Sequence, residues 1–454
     1  MNKLVIKETQ EVRDIFGRVR RKDFSGNAGQ AIKNSSYQLV TTIIAKISSL
    51  LFTIILARIL LPELFGLYSL ALSTILLMET ISNLGINSTL IKFVSRSIGK
   101  NNFTKAKAYI VYLAKIKLLL ILISSTLLIL SSKYLSGTYY NKPIFLALLG
   151  GSIYLLFLGI NNFLVAVFQS DNNFKKTMYR EIIFQSSRIV LIPIAVVLSL
   201  KAALSSELLM LIIILFLALS YLISIVYLVI SLKNINVRKV KEKKLTKKEK
   251  KSVNIFFWAL AASAISTMFF AYIDILMLGH FVESIFIGFY QAAFSLVGSV
   301  IALLTFSTAL FPIFNRLKGR ALERGLRKAI RVTMIFSVLV SFLIYISAPF
   351  LIKIIFGPEY SSAIPILRIM SILIIGLPVS GLYSSFIISK GAPWTISKIS
   401  LLSTLINVAL NYIFITTLLP YGMMSAVIGA TVATILSRYF KLFSLMFAKS
   451  RMGK

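Results

Sequence analysis

Cysteine is absent from the 454 residues. Disulfides, thiolate metal ligands and cysteine nucleophiles are thereby excluded, and the redox character of the compartment is left unmarked. Acids are scarce: 15 Asp and Glu stand against 50 Lys and Arg, a formal net charge of +35. The Walker A spacing GxxxxGK[ST] is missing, which argues against ATP hydrolysis on this chain, and HExxH and comparable metal-ligand clusters are missing too. A membrane glycosyltransferase or ligase would carry a large exterior loop or grouped catalytic carboxylates, and neither is found. The expectation is a protein that is not an enzyme, with no cofactor and no metal site. So large a positive charge by itself suggests nucleic acid. Here, however, the basic residues lie in short runs between apolar stretches, so no nucleic-acid partner is expected.

What is abundant is apolar. The chain is 57% hydrophobic with a mean hydropathy of +0.86, where a soluble domain holds about 45–50%. A helix needs about 20 largely apolar residues to cross a bilayer. Twelve stretches qualify: 37–60, 64–86, 107–132, 143–169, 177–200, 207–232, 253–279, 284–312, 327–352, 361–388, 395–419 and 422–448. The first 36 residues are polar, with RVRRK at 18–22 and no apolar core of a cleaved signal. They read as a basic cytosolic extension, either a disordered arm or a helix lying on the membrane. A Lys-rich linker at 233–252 separates a six-helix lobe at 37–232 from another at 253–448, and 449–454 form a tail. Counted over alternate connecting segments, 40 Lys and Arg fall on one side and 4 on the other. The positive-inside rule then places both termini and the linker in the cytosol of a multi-pass cell-membrane protein, with anionic lipid headgroups as partners of the basic runs.

The two halves repeat. ARILLPELFGLYSLALS at 57–73 aligns with GHFVESIFIGFYQAAFS at 279–295, pairing Gly66 with Gly288, Tyr68 with Tyr290, Ala71 with Ala293 and Ser73 with Ser295. NSTLIKFVSR at 87–96 is echoed by FSTALFPIFNR at 306–316. Both halves begin on the same side, so the repeats are parallel, and two such bundles rocking about a central cavity are a known transporter architecture.

ILARILLPELFGLYSLALS, DILMLGHFVESIFIGFYQAAFSL at 274–296 and LINVALNYIFITTLLPYGMMSAVIGATVATILSRY at 405–439 resemble the polysaccharide (O-antigen) flippases of the multidrug/oligosaccharidyl-lipid/polysaccharide exporter superfamily. The resemblance runs from about residue 35 to 445. It implies an all-α fold of about twelve transmembrane helices in two six-helix lobes. It also implies translocation of a polyprenyl- or dolichyl-(di)phosphate-linked oligosaccharide to the outer leaflet, with other polysaccharide-assembly proteins as partners. The basic arm is longer than that family suggests, and the two extra helices of lipid II flippases are not seen.

Polar residues inside the spans are the candidate site. At 100° per residue, Gln38, Thr42, Lys46, Ser49 and Thr53 fall in a stripe roughly 80° wide. A charge facing lipid at mid-helix costs about 2.5–3.5 kcal/mol on insertion scales, so this stripe is expected to line a cavity, against the alternative that Lys46 snorkels to the interface. Glu79, with Tyr68, Ser82 and Asn83 near its face, lies at the depth of Lys46; an ion pair between them would be either glue or a switch. Arg188 sits at mid-span on one face with Glu181 and Gln185. Asp274 is on a stripe with Ser263 and Thr267. It could share the outer half of a cavity with Arg368 and with Arg58 and His280, which are 222 positions apart; the resemblance adds weight to Asp274 and Arg58. Snorkelling is open for Arg58 and a loop role for His280. Lys115 and Lys117 point about 200° apart and read as interface residues. Asn407 and Asn411, near Ser400, Ser403 and Thr404, are expected to bond between helices or touch substrate. Ser425, Gly429, Ala433 and Ser437 form a small-residue packing seam.

Cations in such a lumen could replace the hydration of a diphosphate while its prenyl tail stays in lipid. A multidrug or cation-coupled exporter of the same superfamily would favour buried acids over these bases, and a non-transporting scaffold would merely pack its polar stripes. Coupling to a proton or sodium gradient is left open.

Overall fold

The computed structural model describes residues 26–234, 244–305 and 319–452. The arm at 1–25, the middle of the linker at 235–243 and the second-half echo at 306–318 lie outside the described residues, as do the side chains of Ser263 and Thr267. Ten of the twelve apolar stretches are helical but for a few end residues; 361–388 is divided between a 3-10 turn and the helices Ile364–Met370 and Leu373–Ser389, and 284–312 is helical to Leu304 with 306–312 outside the described residues. The helix Gly26–Asn83 is two arms, α1 (26–60) and α2 (62–83), broken at Leu61 (φ 59°, ψ 172°) before Pro62. Then come α3 (Ile86–Ile98), α4 (Phe103–Tyr134) with a π turn at Leu135–Tyr139, α5 (Phe145–Ser170), α6 (Phe174–Lys201) and α7 (Ser206–Ser231). The second half holds α8 (Lys247–Phe281), α9 (Ser284–Leu304), α10 (Gly319–Ile355), α11 (Ile364–Met370), α12 (Leu373–Ser389), α13 (Pro393–Leu418) and α14 (Met423–Met452).

Nine described helices are long and apolar enough to cross a membrane, ten if the pair Pro358–Met370 and Leu373–Ser389, bent by 47°, is one span. The first of these, Lys33–Ile98, contains the break at Leu61, and contacts show that its arms form a hairpin. Asn34 meets Asn172 and Ser95 bonds Ser170 O, so both ends of the hairpin reach the α5–α6 loop. Leu61 is left at the opposite end, called here the corner end; the other is the terminal end.

Two boundaries differ from expectation. Helix α1 begins at Gly26, inside the extension, because its polar first turns need no hydrocarbon around them. Lys247–Ser252, expected as linker, is helical because Thr246 and Glu249 form a reciprocal capping box. That T-x-x-E spacing was readable in the sequence.

One apolar core joins both halves at the corner end, where Leu60, Phe65 and Leu70 pack with Leu278, Ile287 and Ile366. At the terminal end the described residues form two separate cores. One holds Leu90, Val94, Leu113, Phe168 and the α8 residues Val253 and Phe257; the other holds Leu322, Leu326, Phe386 and Leu445. The first turns of α8 are thus fastened to the first half: Tyr112 OH donates to Asn254 at 3.0 Å, Lys92 lies 3.4 Å above the Phe256 ring, and Lys105 pairs with Glu249. Among the described residues the halves share one core at the corner end, while at the terminal end two cores form, one of which takes in the first turns of α8.

The closure depends on glycine. A Cβ on Gly66 would lie 1.8 Å from Ser284 O, and one on Gly288 would lie 2.0 Å from Pro62 O. Each glycine of the repeat therefore faces the carbonyl four residues before its mate. Gly429 in the small-residue seam similarly leaves only 2.8 Å to Phe414 O on α13, so the seam packs helices as expected. On one helix, then, Gly288→Ala is expected to cost on the order of 3 kcal/mol or more, because the obstructing atom is backbone. Gly298→Ala, with open space around it, should be neutral or stabilising by about 1 kcal/mol. Thermal unfolding of the two variants in detergent checks the contrast, and equal melting temperatures would contradict the glycine crossing.

Candidate functional site

The site begins with α1, whose surface divides into three arcs. Leu39, Ile43, Ile47 and Leu51 recur every fourth residue and are 44–55% exposed, a lipid-facing row. The arc through Ala45, Ser48 and Phe52 turns inward, the first two half-buried and Phe52 buried. The expected polar stripe is the third: Gln38, Thr42 and Lys46 are exposed and Ser49 and Thr53 half-buried, with Thr42 and Thr53 bonding back to Gln38 O and Ser49 O. Lys46 has no hydrogen bond or ion pair among the described residues. This polar arc is uncovered, yet distinct from the apolar one beside it, and a polar face around a charge is suited to water rather than lipid.

Behind this arc the first half holds a continuous polar chain. Asn162 donates to Glu79 at 3.4 Å and is itself met by Asn161. Asn161 Oδ1 accepts from Arg180 at 2.8 Å and Ser224 at 3.0 Å. Arg180 pairs with Glu181 at 2.5 Å, Glu181 accepts from Gln185 at 2.7 Å, and Gln185 accepts from Arg188 at 2.6 Å. Arg188 ends the chain with its guanidinium 4.4 Å from the Phe52 ring centre and its Nε buried without a partner. The α6 face of Glu181, Gln185 and Arg188 is thus as expected.

Other expectations fail. Glu79 is buried and faces Lys117 and Asn162; Lys46 makes no ion pair with it. Lys117 is no interface residue: it is 2% exposed, and its Nζ donates to Ser82 O at 2.8 Å. Helix α2 stops at Leu84–Gly85 with positive φ, which leaves its last carbonyls open for a cation to cap. Arg180, which the sequence reading did not single out, is buried inside α6.

In the second half Asp274 is 3% exposed. It accepts from Asn411 at 2.7 Å, Asn407 at 3.3 Å and Tyr290 at 3.0 Å, and Asn407 also reaches Ser437 at 3.1 Å. Asp274 and the two asparagines therefore join α8, α9, α13 and α14. The repeat partner of Asp274 is Phe52 and that of Tyr290 is Tyr68, both 222 residues earlier; where one half centres on an acid, the other centres on Arg188. Two further cations, Arg438 and Lys441, lie inside α14, 4.5 Å and 5.5 Å from the Phe270 ring centre.

Asp274, Arg58, His280 and Arg368 do not share a cavity. Arg58 donates to the carbonyls of Ile354 and Ile355 at the end of α10, His280 meets Tyr139 O at 2.6 Å, and Arg368 lies 5.6 Å from the Tyr345 ring centre. Arg58 and His280, at the ends of α1 and α8, each reach across to the opposite half instead. No group of His, Asp and Glu able to hold a metal occurs among the described residues.

Two helical lobes joined by one core at the corner end, each holding a buried polar network, have the fold of a membrane transporter. Solved structures agree. An inward-facing multidrug resistance MATE family transporter of the MOP superfamily matches with TM-score 0.70 at 14% identity, over 90% of this chain and 95% of its own. The lipid II flippase MurJ in an inward closed conformation gives 0.66 at 16%, over 91% and 87%. A MOP superfamily transporter from Pyrococcus furiosus gives 0.57 at 15%, over 93% and 97%. No curated protein matches the chain significantly in sequence. The model of the family Polysacc_synt, polysaccharide biosynthesis protein, matches residues 31–318, and the chain belongs to that family.

The cysteine-free chain allows a direct check of the α1 arcs. Thr42→Cys and Lys46→Cys are expected to react with a membrane-impermeant thiol reagent at least about tenfold faster than Ile43→Cys and Ile47→Cys, because the thiolate forms only where water reaches. Equal rates would contradict a water-facing polar arc.

Proposed function

We propose that the protein is a flippase that carries a polyprenyl- or dolichyl-(di)phosphate-linked oligosaccharide from the cytosolic to the outer leaflet by alternating access, acting as a secondary transporter rather than an enzyme. The observation that carries this reading is a layer of cations without ion-pair partners, supplied by both halves. At 1.5 Å per residue, Lys46, Arg188, Arg438 and Lys441 lie about 20–27 Å from the corner ends of their helices. Arg180 has Glu181, and Lys117 faces Glu79. Lys46, Arg188 and Lys441 have no acid within salt-bridge reach among the described residues. Asp274, near Arg438, is already occupied by three donors. Unpaired cations in a membrane interior are costly, and an anionic phosphate group entering a central cavity would offset that cost with charge-assisted bonds. The glycan would occupy the wet cavity and the prenyl tail the lipid. The family supports a role in polysaccharide assembly, and the MurJ-like fold supports a lipid-linked substrate.

The cation-exporter reading is less well supported, since Glu79, Glu181 and Asp274 are all buried and hydrogen-bonded within the protein. A proton or sodium gradient as the energy source belongs to the same proposal, as does the orientation, with both termini in the cytosol of the cell membrane. A reporter fused at residue 242 should be active only on the cytosolic side; activity outside would reverse the orientation.

In proteoliposomes containing a fluorescent polyprenyl-diphosphate glycan, the double variant Lys46→Ala, Arg188→Ala is expected to lose at least about tenfold in flipping rate while keeping its melting temperature, the loss of two charge-assisted contacts. Lys46→Arg should retain part of the rate because charge persists with altered geometry. Wild-type flipping by a folded double variant would overturn the cationic site.

A further inference from the structure

The corner end is fastened twice, by the same device. Arg58, near the end of α1, reaches α10 in the second half: its Nε donates to Ile355 O at 2.8 Å and its Nη2 to Ile354 O. His280, 222 positions later at the end of α8, reaches the last turn of the α4 segment in the first half. Its Nδ1 lies 2.6 Å from Tyr139 O, and its ring stacks on Tyr139 with centroids 4.6 Å apart. The duplication continues one residue back. Tyr360 OH donates to Ala57 O at 2.8 Å, while Lys142 Nζ donates to Gly279 O at 2.7 Å with the Tyr140 ring against Gly279. Each half's first long helix thus grips the carbonyl end of the opposite half's third.

The arms differ in chemistry. Carbonyl oxygens at a helix C-terminus carry partial negative charge, and Arg58 answers it with a charge that no accessible pH removes. The other arm carries the chain's single histidine, the side-chain type whose charge ordinarily changes near neutrality. A carbonyl can only accept, so the Nδ1 of His280 holds the hydrogen. A proton on Nε2 would make that bond charge-assisted and place a cation on the Tyr139 face. The remaining groups at this arm are Lys142, Glu283, Tyr139, Tyr140 and, beyond Phe281, Tyr412. Burial lowers the Lys142 ammonium from its usual range while Glu283 opposes that shift. Lys142 is engaged by Tyr140 O and Gly279 O, which leaves the 2.6 Å contact with Tyr139 O as the bond that a charge on His280 strengthens.

We propose that Arg58 and His280 are the two arms of one gate that holds the corner end shut, and that protonation tightens the His280 arm, so that acid favours the state closed at the corner and open at the terminal end. The gate rests on the alternating-access part of the proposed function and needs no glycan, so its test stands apart from the identity of the substrate.

Spin labels on Lys201→Cys and Tyr421→Cys, exposed residues at the corner end outside both arms, report the separation of the halves by pulsed electron resonance in lipid nanodiscs without substrate. Between pH 8 and pH 5.5 the ratio of closed to open populations is expected to rise about three- to tenfold, the scale of one charge at a helix C-terminus. His280→Gln should abolish that dependence and His280→Arg should hold the closed ratio at every pH. Arg58→Gln should lower the ratio throughout yet leave its pH response. Populations that do not respond to pH in the labelled parent, or an undiminished response in His280→Gln, would overturn the gate. Loss of glycan flipping in the Lys46, Arg188 variant with the pH response intact would separate the gate from the binding site.

Discussion

The fold depends on a backbone crossing with no room for a methyl group. Where α2 meets α9, Gly66 lies under Ser284 O and Gly288 under Pro62 O. Within a bilayer the hydrophobic effect gives helices little reason to associate, so close approach of small residues supplies the attraction instead. The crossing also explains the backbone at Leu61, held at φ 59°, a conformation that costs a non-glycine residue about 1–3 kcal/mol. Pro62 behind it suits the first turn of a helix because it has no N–H to leave unpaired. The break turns the chain so sharply that Gly66 arrives beside α9, and packing at the corner offsets the strain. Because the repeat applies the same geometry twice, the corner closes as a nearly symmetric joint.

Basic residues inside the membrane meet three outcomes. Lys117 caps the end of α2 and Arg58 that of α10, replacing hydrogen bonds that a helix terminus lacks. Arg180 is neutralised by Glu181 on its own helix and fixed by Asn161. Lys46, Arg188 and Lys441 receive neither treatment, and their side chains rest on the polar arc of α1 or on the aromatic faces of Phe52 and Phe270. This last group has charge to offer a ligand. Sorting cations by what already satisfies them is more discriminating than sorting them by depth.

Much of this was legible from residue order. Apolar run lengths gave the helices, the 222-residue offset gave the repeat, and periodicity on α1 gave an arc that does stand uncovered beside Lys46. The face of Glu181, Gln185 and Arg188 also followed from helical spacing. What failed was everything that depends on which helix lies next door. Asn161 and Lys117 sit on helices whose own patterns are bland; their partners, Arg180 and Ser82, come from other parts of the chain. Arg438 and Lys441 lie within the expected span 422–448 but drew no notice there, because only the fold sets them against Phe270. The capping box at Thr246 and the glycine stop at Gly85 were visible signals that would have corrected one linker boundary and explained Lys117.

Helix α8 belongs to the second half by repeat and to the first by attachment. Its opening turns are held by Tyr112, Lys105 and the Phe93–Phe256 contact, while its far end is tied into the Asp274 knot. The covalent linker is therefore not what keeps the halves together. Two fragments divided between 235 and 243 would carry complementary surfaces where the first turns of α8 meet α3 and α4 and where its end meets Tyr139 and Lys142. A gene encoding this architecture could be split or fused at that point without redesigning the interface, which is how a duplicated six-helix unit can first exist as two chains and later as one.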